Sequence, residues 1–159
     1  YNTSSLHSYV WFKETNIHID GEKAYKVIGT NFNNYSTFFI NYDTGDLVLL
    51  DENKKIKKIL GRQDDVIELK DGRKIGRLDH LFKNSEDIIT AQIVQKSFSK
   101  LLLNIQLKDP NHFTSKKTIL NEIKNRISDQ IEVEFNLVNE IPKQPNGKFR
   151  FVIKDFTQK

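Results

Sequence analysis

Short runs rich in apolar, aromatic and β-branched residues recur over the first third of the chain, broken by polar turn signals, and predict short β-strands. The runs are Tyr9-Val10-Trp11-Phe12, Ile17-His18-Ile19, Ala24-Tyr25-Lys26-Val27-Ile28, Phe38-Phe39-Ile40 and Leu47-Val48-Leu49-Leu50. Turn signals such as Asp20-Gly21 and Thr44-Gly45 separate them. A small β unit is therefore expected over residues 1–60.

From Gly61 onward the pattern changes. Val66-Ile67-Glu68-Leu69 and Arg73-Lys74-Ile75 flank Asp71-Gly72 and predict a hairpin with a two-residue turn. Leu78, Leu81 and Phe82 fall at i, i+3 and i+4, the spacing of a short helix. Ile89 to Lys96 and Leu101 to Leu107 read as strands, the second with Leu101, Leu103, Ile105 and Leu107 on one side. With Thr114 or Ser115 as N-cap, Ile119, Leu120, Ile123 and Ile127 mark the apolar face of a helix of about four turns. Ile131, Val133, Phe135 and Leu137 then alternate with Glu132, Glu134 and Asn136 as a strand. The order hairpin, helix, two strands, helix, strand, loop, strand predicts a compact α+β domain over residues 61–159, with helices packed on one face of a sheet.

Composition narrows the classes of function. Of 159 residues 37% are hydrophobic and 29% charged, and no apolar run approaches the ~20 residues that span a bilayer. A soluble, cytoplasmic chain without a membrane partner is expected. Lys and Arg number 25 against 21 Asp and Glu, a mild excess of +4. The densest basic run, Lys54-Lys55-Ile56-Lys57-Lys58, follows Asp51 and Glu52 and reads as a solvated strand or turn face. Trp11, Tyr25 and Phe38 lie near basic residues, but strand propensity already enriches aromatics in strands, so nucleic acid is not the expected partner. Without cysteine there is no disulfide or thiolate zinc site, and His7, His18, His80 and His112 lack ligand-like spacing. A chain that starts at Tyr1 and contains no Met reads as part of a longer polypeptide. Whether it forms a homo-oligomer stays open.

The segment Ile141-Pro142-Lys143-Gln144-Pro145-Asn146-Gly147-Lys148-Phe149-Arg150 puts Lys148 on a Pro- and Gly-bearing loop between two strand-like runs. Asn-Gly is also the commonest signal for a tight turn, so Lys148 reads either as a solvated turn residue or as a cation offered to a charged substrate. Asp46 similarly reads as a turn cap or a ligand-binding carboxylate, and Gly61 to Asp65 as a plain loop or a junction.

In order, Tyr42-Asp43-Thr44-Gly45-Asp46-Leu47, Gly61-Arg62-Gln63-Asp64-Asp65 and Asn146-Gly147-Lys148 resemble the C-terminal signatures of adenylate-forming enzymes, the acyl-CoA synthetases and their relatives. Gly61-Arg62-x-Asp64-Asp65 followed by Asp71-Gly72-Arg73-Lys74-Ile75 is similar to the phenylacetate-CoA ligase and CapK-like branch. The resemblance implies ribose binding at Asp46, nucleotide contact at Arg62, a hinge at Asp64 and a charge-bridging catalytic lysine at Lys148. It also implies a hairpin at Asp71 and Gly72 that faces the acceptor after the lid swings. The partners implied are ATP with Mg2+ (held mainly by an upstream domain), AMP, a carboxylic acid, and CoA or another acceptor. On this reading residues 1–60 end a large domain, residues 61–159 form its lid, and the fragment is inactive alone. Phe38 and Asn41 depart from the branch, which has proline and arginine at those positions. The alternative they favour is a non-catalytic lid-fold module in polysaccharide biosynthesis.

Overall fold

The computed structural model describes residues 7–19, 21–33, 35–143, 145 and 147–156. Asp20, Gln144 and Asn146, each part of a turn or loop signal above, lie outside the described residues. The chain divides into two compact units, Tyr1–Asp64 and Asp65–Lys159.

The first unit is one antiparallel sheet in the order β1 (Ser8–Ile19), β2 (Glu22–Asn31), β3 (Tyr42–Leu50) and β4 (Ile56–Arg62). The two apolar runs before Asp20 join into one strand. The pairing slips between Glu14 and His18, where Thr15 Oγ1 donates to the Ala24 carbonyl and accepts from the Ile17 amide. Ile19, Ala24, Ile28, Leu47, Val48, Leu49 and Leu60 are buried. Lys57 meets Glu22 as an exposed ion pair, in keeping with a solvated face for the basic run.

Phe38-Phe39-Ile40 is not a strand, contrary to its composition. Asn31 donates its amide to the Phe39 carbonyl, but no ladder forms, and Phe38 and Ile40 are exposed. Strand formers without a paired neighbour have nothing to hold them extended.

The second unit is the expected α+β domain. Its hairpin pairs β5 (Ile67–Glu68) with β6 (Lys74–Ile75). The turn is longer than two residues: Leu69 N–H reaches the Arg73 carbonyl and Gly72 N–H the Leu69 carbonyl, enclosing Lys70, Asp71 and Gly72. Gly72 takes φ +83, the left-handed position that such three-residue loops require. A 3-10 helix, Leu78–Phe82, leads to a four-stranded sheet in the order β10-β7-β8-β9. Here β7 is Ile88–Ser97, β8 Lys100–Leu107, β9 Glu132–Leu137 and β10 Val152–Lys154. β7 and β8 are antiparallel, whereas β9 runs parallel to β8 and β10 parallel to β7. A parallel neighbour needs a crossover, and α1 (Lys116–Arg126) supplies it between β8 and β9.

One core holds this unit together. Leu101, Leu103 and Ile105 are fully buried, as the alternation predicts, and pack with Ile93, Leu78, Leu81, Ile119 and Ile123. The helix is shorter than its apolar pattern implied, with 11 residues, and Leu120 is exposed. Its buried stripe is Ile119, Ile123 and Ile127.

Candidate functional site

Asp46 sits on a distortion of β3. Lys26 pairs with Leu47 and Ile28 with Asp43, so Thr44, Gly45 and Asp46 together oppose the single residue Val27. Gly45 at φ +76 makes the bend, a conformation that a side chain would strain. Thr44 Oγ1 closes it, donating to the Val27 carbonyl at 3.1 Å and accepting the Asp46 amide at 3.2 Å. The turn-capping carboxylate is Asp43, which accepts the Gly45 amide at 2.9 Å and faces Lys26 Nζ at 2.8 Å. The Lys26 bond first, then the Gly45 amide, hold the Asp43 carboxyl below its usual range.

Arg62 is the register partner of Asp46 on the neighbouring strand. Directly opposed residues of an antiparallel pair project from one face with their Cβ atoms about 5 Å apart. Half-buried Asp46 and exposed Arg62 are thus neighbours across the ladder. The carboxylate can accept two hydroxyl hydrogens, and the guanidinium can donate to an adjacent anion. Gly61, at φ +94, adjoins a second bulge at Leu60 that sets this register. Asp64 is exposed and belongs to a 3-10 turn, Gln63–Asp65, that contains the division between the two units.

Lys148 lies in the other unit, on the connection between β9 and β10, and is exposed. That connection joins opposite edges of the sheet, and both of its ends are tied down. At the start, the Val138 amide bonds the Ile105 carbonyl, Gln106 Nε2 donates to the Asn139 carbonyl at 2.7 Å, and Ile141 is buried. At the finish, Gln92 Nε2 donates to the Arg150 carbonyl at 2.7 Å and the Ile93 amide to the Phe151 carbonyl at 2.8 Å. Phe151 packs edge-to-face on Phe82. The fold therefore presents Lys148 on an irregular segment with anchored flanks.

The hairpin bearing Asp71 and Gly72 is fixed by Gln95, which is fully buried. Its Oε1 accepts the Glu68 amide at 3.2 Å while its Nε2 donates to the carbonyls of Glu68 and Ser97. Asp71 accepts from the Arg73 amide and from Arg73 Nε, and these bonds, in that order, lower its carboxyl pKa. Beside the hairpin lies a groove of ≈ 450 Å³ lined by Leu69, Lys70, Asp71, Arg73, Phe98 and Ser128. Among the described residues no group of three or more His, Asp or Glu could hold a metal ion.

Sequence reasoning passed over Gln92, Gln95, Gln106 and Asp87, because none belongs to a motif. A signal exists for Gln95 alone: counting by twos from Ala91 and Ile93 puts it on the core face, where an amide needs partners.

Comparison with known proteins gives these features a family. Residues 67–155, more than half of the chain, match the model of the CapK C-terminal domain. Protein CapK of Staphylococcus aureus is 28% identical over 149 residues, covering 82% of this chain and 32% of its own length. The chain thus spans about a third of that curated relative. Among solved structures, the amide bond synthetase McbA of Marinactinospora thermotolerans aligns with a TM-score of 0.58 at 16% identity over 89% of this chain and 33% of its own. The o-succinylbenzoate coenzyme A synthetase of Bacillus subtilis, solved with AMP, gives 0.57 at 17% identity over 89% and 32%. No helix among the described residues is long and apolar enough to cross a membrane. The matched model and the fold shared with these ligases agree, and the chain belongs to the CapK C-terminal domain family.

Proposed function

We propose that this chain is the C-terminal part of an ATP-dependent carboxylate-activating ligase of the phenylacetate-CoA ligase type. Residues up to Asp64 end its large nucleotide-binding domain, and the residues after it form the lid. The observation that carries this reading is the cross-strand pair of Asp46 and Arg62. It sets a diol acceptor beside an anion donor, which is what a nucleotide's ribose and phosphate ask for. Structural neighbours were solved with AMP, and with acyl-AMP and CoA together, which supports nucleotide, acid and thiol partners.

The chemistry runs in two steps. A carboxylate oxygen attacks the α-phosphorus of ATP, forming acyl-AMP and releasing pyrophosphate. Asp46 holds the ribose hydroxyls, Arg62 contacts the nucleotide, and the ammonium of Lys148 bridges the acyl carboxylate and the α-phosphate, offsetting charge where two anions meet. Rotation about Asp64 then withdraws Lys148 and brings the Asp71-Gly72 hairpin and its groove toward the acceptor. The acceptor, CoA thiol or another nucleophile, takes the acyl group and AMP leaves. The magnesium that accompanies ATP finds no ligand set among the described residues, and no step is assigned to it.

A second reading, a non-catalytic assembly module, draws on Asn41. This residue stands where the branch has arginine, takes φ +50, and accepts the Trp11 indole N–H at 3.1 Å. ATP–pyrophosphate exchange by the full-length protein over a panel of carboxylic acids separates the two. Acid-dependent exchange is expected of the ligase, and its absence with every acid favours the module.

A further inference from the structure

Opposite the core, the other face of the second unit's sheet carries a row of amides. Gln92, Asn104 and Asn136 are register partners on β7, β8 and β9. Asn136 Nδ2 donates to Asn104 Oδ1 at 2.8 Å, and Asn104 Nδ2 donates to Gln92 Oε1 at 3.0 Å. Gln92 Nε2 in turn donates to the Arg150 carbonyl at 2.7 Å. Every bond points the same way, so each amide fixes the orientation of the next and the last holds the backbone two residues after Lys148.

The burial along this row is informative. Asn136 is exposed, Asn104 half-buried and Gln92 only 5% exposed. A buried amide costs stability unless its groups are satisfied, and apolar side chains would serve a plain sheet face more cheaply. The sheet's own ladder does not need the row. Its terminal donor goes to the one connection in this unit that carries Lys148.

We propose that Gln92, oriented by Asn104 and Asn136, is a positioning residue for Lys148. The inference rests on the reading of Lys148 as the charge-bridging group. Lysine has a long side chain, and its contribution at a transition state depends on how well the backbone beneath it is placed. The Arg150 carbonyl is that placement at the C-terminal side, as the Asn139 carbonyl held by Gln106 is at the N-terminal side.

The test uses the full-length protein with an acid that supports exchange and compares the two half-reactions. Gln92→Glu keeps the side-chain length but removes the donor to Arg150, and Asn104→Asp removes the donor that orients Gln92. The milder second variant keeps the test open should the first fail to fold. Gln92→Glu is expected to slow ATP–pyrophosphate exchange roughly ten- to hundredfold. KM for ATP should stay within about twofold, because the nucleotide-holding residues lie on the other unit. Transfer from preformed acyl-AMP to the acceptor should be unchanged, since Lys148 has left the site by then. Amide hydrogen exchange over residues 142–150 should quicken. Equal loss in both half-reactions would reduce Gln92 to a structural residue and overturn the proposal. So would unchanged exchange in both variants while Lys148→Ala is slow. If Lys148→Ala itself exchanges like wild type, the reading of Lys148 fails, and this inference with it.

Discussion

A bulge and a register place Asp46 and Arg62 opposite each other, and under the proposed function their substitutions should share a kinetic signature. Asp46→Asn and Arg62→Lys are each expected to raise KM for ATP about tenfold with kcat little changed, measured as initial exchange rates against ATP concentration. A fall in kcat at constant KM would place the residue at the reacting phosphate instead. The bend that carries Asp46 was legible in the sequence because the turn chemistry of Asp43-Thr44-Gly45 is written in residue types: Gly for the positive φ, Asp and Thr for the local caps. Gln92 and Gln106 were not legible. Their partners are backbone carbonyls about 30 to 60 residues away, and a backbone acceptor leaves no trace in residue type.

Strands and helices were readable where one face is buried and blurred where their ends depend on a distant group. The apolar alternation of β8 is the clear success, since all four of its odd positions from Leu101 to Leu107 are buried. The start of α1 is the contrary case. Ser115 occupies the N-cap without a cap bond from its own side chain. That end is anchored instead by Asp87, just before β7, which accepts the amides of Thr114 and Ser115 and both of their hydroxyls. Burial opposes ionisation of Asp87, but the Ser115 hydroxyl, the Ser115 amide and the Thr114 amide together outweigh it and hold the carboxyl far below its usual range. Asp87→Ala should therefore lower stability at neutral pH by about 1 to 2 kcal/mol in urea unfolding. The sign of the pH dependence follows from a depressed native pKa. The Asp87 contribution is complete above the unfolded carboxylate value near about 4 and fades as pH falls toward the native one. The gap between wild type and Asp87→Ala should begin to narrow below about pH 4 and go on closing into strong acid, and a gap that stays constant through that range would contradict the anchoring role. Phe38-Phe39-Ile40 shows the opposite failure, strand composition without a ladder to join.

The division between the two units falls within a 3-10 turn that contains Asp64, and the proposed cycle asks that turn to rotate. Proline fixes φ, so Asp64→Pro should hold one orientation. The expected result is one half-reaction kept within about threefold and the other slowed more than about tenfold, with both retained equally if the turn does not move. The change of pattern after residue 60 was visible in the sequence, whereas the proposed swing of the lid would depend on contacts that residue types within this chain do not encode, since it spans about a third of its curated relative. The central claim is that Lys148 serves adenylation and nothing after it. Lys148→Ala in the full-length protein, assayed in both half-reactions, tests this most directly. The account predicts that ATP–pyrophosphate exchange falls by about a hundredfold or more, while transfer from preformed acyl-AMP to the acceptor proceeds at the wild-type rate. Exchange at the wild-type rate would contradict it.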